Sequence, residues 1–251
     1  MTSPPRIRQR FSKAMAQFYA ASIAALLMLC MPASASIVAY QTQTAFNAAI
    51  AGVTSITTNF DAIPTGSSYS TGTGPAGSGF TLTLSGPDAP GMVPTVSDQF
   101  WATSGTRYLG LNNPDTAFEQ GDSLTFNFLA PVQAFGLFII GTADIGAGDI
   151  GLATGASSVF NSGVAELADG NGSFAYFLGF VSSDLGTFSS VTLNDLTLAS
   201  TRLLNIAVDD VVLGSKGRGE AVPEPGSLAL IVMGILLLGA GLRQSKTKRK
   251  R

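Results

Sequence analysis

The sequence predicts an all-β protein, a jelly-roll-like two-sheet β-sandwich, flanked by an N-terminal signal helix and a C-terminal transmembrane helix. Three observations carry that prediction. The central region is rich in Gly, Ser and Thr, and its apolar runs are short and bounded by turn residues. Several of those runs alternate apolar and polar residues with the period of two that a half-buried strand requires. One segment alone reads as a helix, Thr44 to Ala51, where Phe46 and Ile50 are spaced i, i+4 behind a Thr N-cap.

Residues 1–35 read as a secretory signal peptide. Arg6, Arg8, Arg10 and Lys13 form a positive region, an apolar stretch runs from Ala14 to Met31, and Pro32 breaks it. Ala33 and Ala35 then supply the small side chains a signal peptidase pocket accepts, which places cleavage after Ala35. An uncleaved anchor is the other reading of this segment. A lipoprotein signal is set aside, because Met28 and Leu29, just before Cys30, are too large for it. Cys30 is the only cysteine, so the mature chain has no disulfide and must hold together by an ordinary core.

The ectodomain is expected over residues 36–215. Gly79 to Leu84, Leu124 to Phe128 and Val191 to Leu193 alternate as half-buried strands. Ala134 to Ile140 and Phe174 to Val181 are continuous apolar runs and read as strands buried more deeply, and Asn205 to Leu213 reads as the last. Eight to ten short strands are expected in all, with a closed barrel as the alternative architecture. Between residues 36 and 222, fifteen acids face only Arg107, Arg202, Lys216 and Arg218, a balance of −11. Neutralising phosphates needs clustered Lys or Arg, so nucleic acid is not an expected partner.

Catalytic chemistry is sparse. The chain has no histidine, which removes Ser-His-Asp and Cys-His catalysis and His-ligated zinc. Two Gly-x-Gly-x-x-Gly matches, at Gly72/Gly74/Gly77 and Gly146/Gly148/Gly151, open no helical pattern and are what a chain with 29 glycines produces by chance. Asp115, Glu119 and Asp122, and separately Glu166 and Asp169, are the carboxylate groupings a glycoside hydrolase would need, but they sit among turn residues. The expectation is therefore that the protein is not an enzyme. Acidic turns do suggest one cofactor, calcium, with Asp144 and Asp149 on one loop and Asp209 and Asp210 on the final strand as candidate ligands. Trp101 and Tyr108, with Phe100, are the candidate sugar-stacking platform, and a core role is the competing assignment for the lone Trp.

Three features follow in order at the C-terminus. Residues 216–226 form a linker containing Pro223-Glu224-Pro225, residues 227–242 an apolar helix, and residues 243–251 a tail with six basic residues out of nine. Sixteen helical residues span about 24 Å, short of the roughly 30 Å hydrocarbon core. Snorkelling by Arg243 or local thinning of the bilayer makes up the difference. The basic tail fixes the orientation, with the tail in the cytoplasm and everything before Pro223 outside.

A Pro-Glu-Pro motif, an apolar helix and a basic end in that order resemble the PEP-CTERM sorting signal of bacterial exosortase substrates. The resemblance implies Pro223, Glu224 and Pro225 as the recognition element, an exosortase-type processing enzyme and the inner membrane as partners, and delivery to the cell surface or extracellular matrix. A second resemblance rests on Phe177 to Asp184, Phe188 to Leu193 and Ile206 to Val211, which look like the closing strands of lectin-like, carbohydrate-binding sandwiches in such proteins. In those, a structural calcium often lies beside a strand like the one bearing Asp209 and Asp210. The expectation is an exported surface or matrix protein of structural or adhesive role. The alternative is a carbohydrate-binding module for exopolysaccharide, calcium-dependent if the acidic turns serve it.

Overall fold

The computed structural model describes residues 36–86, 90–112, 122–142, 145–155, 157–183, 186–195 and 206–215. The expected signal segment, with Ala33 and Ala35, and everything from residue 216 onward lie outside the described residues. Among the described residues no helix is long and apolar enough to cross a membrane.

Among the described residues, thirteen strands and one short helix form the fold, the strands in two antiparallel sheets. In chain order the elements are β1 (Ile37–Tyr40), α1 (Gln43–Ala49), β2 (Thr54–Thr58), β3 (Phe80–Ser85), β4 (Pro94–Ser97), β5 (Tyr108–Leu111) and β6 (Ser123–Val132). There follow β7 (Ala134–Thr142), β8 (Ile150–Thr154), β9 (Ser157–Phe160), β10 (Leu167–Ala168), β11 (Ser173–Ser182), β12 (Phe188–Asp195) and β13 (Ile206–Ser215). The larger sheet has the order β1-β11-β7-β13-β5-β4, with β10 also on β11 and β2 also on β13. The smaller has the order β3-β6-β12-β8-β9. This fits an all-β sandwich. The strands missed in the sequence are mostly short ones, such as β4 and β9, too brief for alternation to register.

One cluster of buried side chains fills the space between the sheets. Phe80 and Phe126 from the smaller sheet meet at 5.3 Å, and Phe126 reaches across to Phe135 of β7 at 5.2 Å. The smaller sheet's strands alternate because only one of their faces is dry. Thr83, Thr125 and Thr192 sit side by side on neighbouring strands, half-buried, and Thr125 and Thr192 share a hydrogen bond of 3.0 Å. The larger sheet is covered on both faces, which explains its continuous apolar runs. On β7, Phe135, Leu137 and Ile139 point into the sandwich, while Ala134, Phe138 and Ile140 belong to a second cluster on the outer face.

Helix α1 covers that outer face. Thr42 caps it, its hydroxyl accepting from Ala45 N–H at 3.4 Å, and the Glu166 carboxylate accepts from Gln43 N–H at 2.9 and 3.1 Å. The helix therefore begins and ends slightly earlier than its sequence pattern suggests, while Phe46 and Ile50 are buried as that pattern requires. Phe46 sinks into the sheet over Gly136 and Gly179, which face each other across β7 and β11. A Cβ on Gly136 would lie 2.6 Å from the Phe177 ring and 3.0 Å from Phe46, and one on Gly179 would lie 2.9 Å from Phe46. Two glycines in strongly apolar strands are thus the socket for a helix.

Sheet edges on one side are covered by a single segment. Gly66 and Tyr69 N–H donate to Val96 and Pro94 carbonyls of β4, and Val96 N–H donates to Ser67 O. The same segment then pairs with β3, where Gly72 N–H donates to Leu82 O and Leu82 N–H to Thr73 O. Filling the socket should cost about 1–3 kcal/mol per site. Urea unfolding of Gly136→Ala and Gly179→Ala is expected to show midpoints well below that of the parent, with unchanged slope.

Candidate functional site

The densest polar constellation among the described residues forms where β13 changes partners. Its first half pairs with β5 through Val208 and Leu109, and its second half pairs with β2 from Val211 to Ser215. Across its other edge β13 stays on β7, but Asp209 pairs with Phe138 and Val212 with Gly136, so two residues, Asp210 and Val211, oppose Leu137 alone. This is a β-bulge. Asp210 takes φ +48 there, in the left-handed region that Asp tolerates better than most residues.

The bulge aims two adjacent carboxylates at one loop, Ala102 to Arg107, which leads into β5. Asp209 Oδ2 accepts from Thr103 N–H at 2.9 Å, the Thr103 hydroxyl at 2.8 Å and Ser104 N–H at 3.1 Å. Asp209 Oδ1 accepts from Asp210 N–H at 2.8 Å. Asp210 accepts from the Thr103 and Ser104 hydroxyls at 2.9 and 2.7 Å. From the opposite side, Asp61 Oδ1 accepts from Thr106 N–H at 2.8 Å and Arg107 N–H at 3.2 Å. The Arg107 guanidinium in turn donates to the Asp61 and Ile63 carbonyls at 2.6 and 2.7 Å. Gly105, φ +58, lies where any Cβ would overlap the Asp61 carboxylate. Three acids distant in sequence thus clasp one six-residue loop.

The aromatic candidates flank that loop, Phe100 and Trp101 before it and Tyr108 after it. Phe100 is 45% exposed and stacks on Tyr108 with ring centroids 6.1 Å apart and planes 29° from parallel. Trp101 is half-buried against the outer cluster. Tyr108, expected as part of a stacking platform, is buried at 2% exposure beneath Phe100, so its ring offers no face to a sugar. Its hydroxyl lies near Ser97 and the amides of Gln99 and Phe100 without forming a regular hydrogen bond, and burial pushes the phenol above its usual range.

The remaining candidate acids serve turns and caps. Asp149 accepts from Gly146 N–H at 2.7 Å, and Asn161 ties the same loop down by donating to Gly146 O and accepting from Ile150 N–H. Asp144 lies outside the described residues, as do Asp115 and Glu119. Glu166 caps α1, Asp169 accepts from Asn171 and Ser173 N–H, and Asp122 is buried against Gly86. No group of three or more Asp, Glu, His or Cys positioned to hold a metal occurs among the described residues. Calcium takes six to eight oxygens, whereas Asp209 and Asp210 already accept from protein donors. The glycine matches are turns: Gly72, Gly77 and Gly148 have positive φ, and Gly151 lies in β8.

Residues 221–246 match the PEP-CTERM protein-sorting motif. The match contains Pro223, Glu224 and Pro225, which lie outside the described residues. The motif implies export, processing by an exosortase-type enzyme and sorting toward the cell surface. No curated protein matches the chain.

The clasp also sets a pH dependence. Burial first, and the neighbouring Asp210 charge second, push Asp209 up to about 7, against the hydrogen bonds from Ser104, Thr103 and Asp210. A carboxyl whose folded pKa is raised holds its proton in the native state over a window where the unfolded chain has lost it. Stability from this group is then fully present below about pH 4 and declines as pH rises toward 7. Asp209→Asn keeps an acceptor oxygen and removes the charge. The melting temperature of this variant relative to the parent is expected to rise steadily from pH 4 to pH 8; a constant difference would contradict the assignment.

Proposed function

We propose that the chain is an exported cell-surface or extracellular-matrix protein with a structural or adhesive role and no enzymatic activity, its β-sandwich displayed after sorting through the C-terminal tail. The sorting motif at residues 221–246 carries this reading. The use of the acids supports it. Asp61, Asp149, Glu166, Asp169, Asp209 and Asp210 each accept backbone N–H or hydroxyl donors that shape a turn, a cap or the clasp, an arrangement suited to holding a scaffold. A strongly acidic domain also suits a hydrated polysaccharide matrix, where net charge keeps protein soluble and dispersed.

Replacing Pro223, Glu224 and Pro225 together by Ala in the native host is expected to hold the protein at the inner membrane, whereas the parent chain reaches the cell surface. Equal surface delivery of the two, measured by protease shaving of intact cells, would sink the sorting reading.

One observation favours a carbohydrate-binding module as the second reading: Phe100 exposes nearly half its surface just before the loop that the clasp holds, beside the half-buried Trp101. Such rings pack against sugar C–H faces. If the domain grips exopolysaccharide there, Phe100→Ala should weaken retention on the host polysaccharide about tenfold with little change in melting temperature. Chelator would weaken it too only if calcium takes part.

A further inference from the structure

The turn between β10 and β11 carries a sequence motif in addition to its turn chemistry. Asn171-Gly172-Ser173 is an Asn-x-Ser/Thr triplet with x other than Pro, the pattern at which asparagine amides of exported proteins accept sugar. Among the asparagines of the chain, Asn171 alone has Ser or Thr two residues later. Triplets of this kind are useful only where a transferase can reach them, and this one sits at an exposed turn tip.

The local structure presents Asn171 well. Asp169 N–H donates to Ser173 O at 3.2 Å, and Asp169 Oδ1 accepts from Asn171 N–H at 2.7 Å and Ser173 N–H at 2.9 Å, closing a tight loop. Gly170 and Gly172 take φ +78 and +102, and neither would meet a neighbour within 4 Å if it carried a Cβ. Asn171 is therefore flanked on both sides by residues without side chains and by open space. The turn is also easy to open. β10 is two residues long, with Leu167 and Ala168 both exposed, so lifting it off β11 leaves the two buried clusters intact. Two residues before the Asn, the Asp169 carboxylate adds a charge by which a transferase can hold the acceptor peptide. The Asn171 N–H helps keep it ionised by holding its pKa below the usual range.

We infer that Asn171 is an N-glycan acceptor, modified on the outer side of the inner membrane by a transferase that uses a lipid-diphosphate-linked oligosaccharide. The amide nitrogen of Asn171 forms a bond to C1 of the first sugar. The bond from that C1 to the diphosphate oxygen breaks, its electron pair leaves with the lipid diphosphate, and the amide gives one proton to a base of the transferase. No atom changes oxidation state overall, and the activated donor supplies the driving force. A glycan there would stand at one end of the larger sheet, on the hairpin whose strand β11 meets β7 at Ser173 and Thr142.

The inference rests on the export half of the proposed function, so the test reads export and modification separately. The full chain is recovered from its native host and digested before aspartates, which releases residues 169–183, and its N-terminal peptide is sequenced alongside. The expected result is an N-terminus at Ser36 and a 169–183 peptide heavier by one oligosaccharide. The mass gain should persist in Ser173→Thr and vanish in Asn171→Gln and Ser173→Ala. A chain that begins at Ser36 but has an unmodified 169–183 peptide, or one whose amide has only become an acid, overturns the glycan assignment while export stands. An unmodified 169–183 peptide overturns the glycan assignment whether or not residues 1–35 remain, and a domain that external protease cannot reach in spheroplasts overturns both.

Discussion

The structure depends on one strand satisfying two sets of neighbours. β13 keeps β7 along one edge while exchanging β5 for β2 along the other, and its register against β7 shifts at that exchange. The bulge at Asp210 and Val211 sits where the partners change. It costs a left-handed φ at a non-glycine residue, of order 1–3 kcal/mol, and it leaves a buried carboxylate to be satisfied. Hydrogen bonds to charged groups contribute about 1.5–3 kcal/mol each, and the donors of Thr103 and Ser104 meet Asp209 and Asp210 closely. The loop they hold directly follows Phe100 and Trp101. Strain, clasp and exposed aromatic ring are thus a single arrangement.

Much of the fold was legible in the sequence because hydrophobic period reports how many faces of a strand are dry. Leu124 to Phe128 alternates since β6 faces solvent on one side, and Ala134 to Ile140 does not since β7 is covered twice. Phe46 and Ile50 announced a helix with one buried stripe. The short strands β4, β5, β8 and β9 were illegible, because four or five residues give too little period to separate a strand from a turn. The bulge was hidden for a related reason: Asn205 to Leu213 reads as one strand, and only the register against β7 shows where it slips.

The site was half legible. Asp209 and Asp210 stood out as adjacent acids on a strand, and that is where the polar constellation lies. Their partners did not, since Thr103 and Ser104 lie more than a hundred residues earlier and look like any polar turn. Asp61 and Gly105 likewise form one contact that neither residue signals alone. A carboxylate's chemistry can be read from its side chain, but which N–H and O–H donors it meets is decided by tertiary packing. Tyr108 teaches the same lesson for aromatic rings, because exposure belongs to Phe100, the neighbour that covers it.

The position of β13 has a mechanical meaning. It is the last described strand, the one nearest in sequence to the sorting tail, and it lies inside the larger sheet between β7 on one side and β5 and β2 on the other. Tension drawn through the tail would run along the strand, at right angles to its hydrogen bonds. It would then have to shear two ladders together, whereas a strand at a sheet edge would shear only one. A domain held by that end would resist being pulled apart along the direction of that strand.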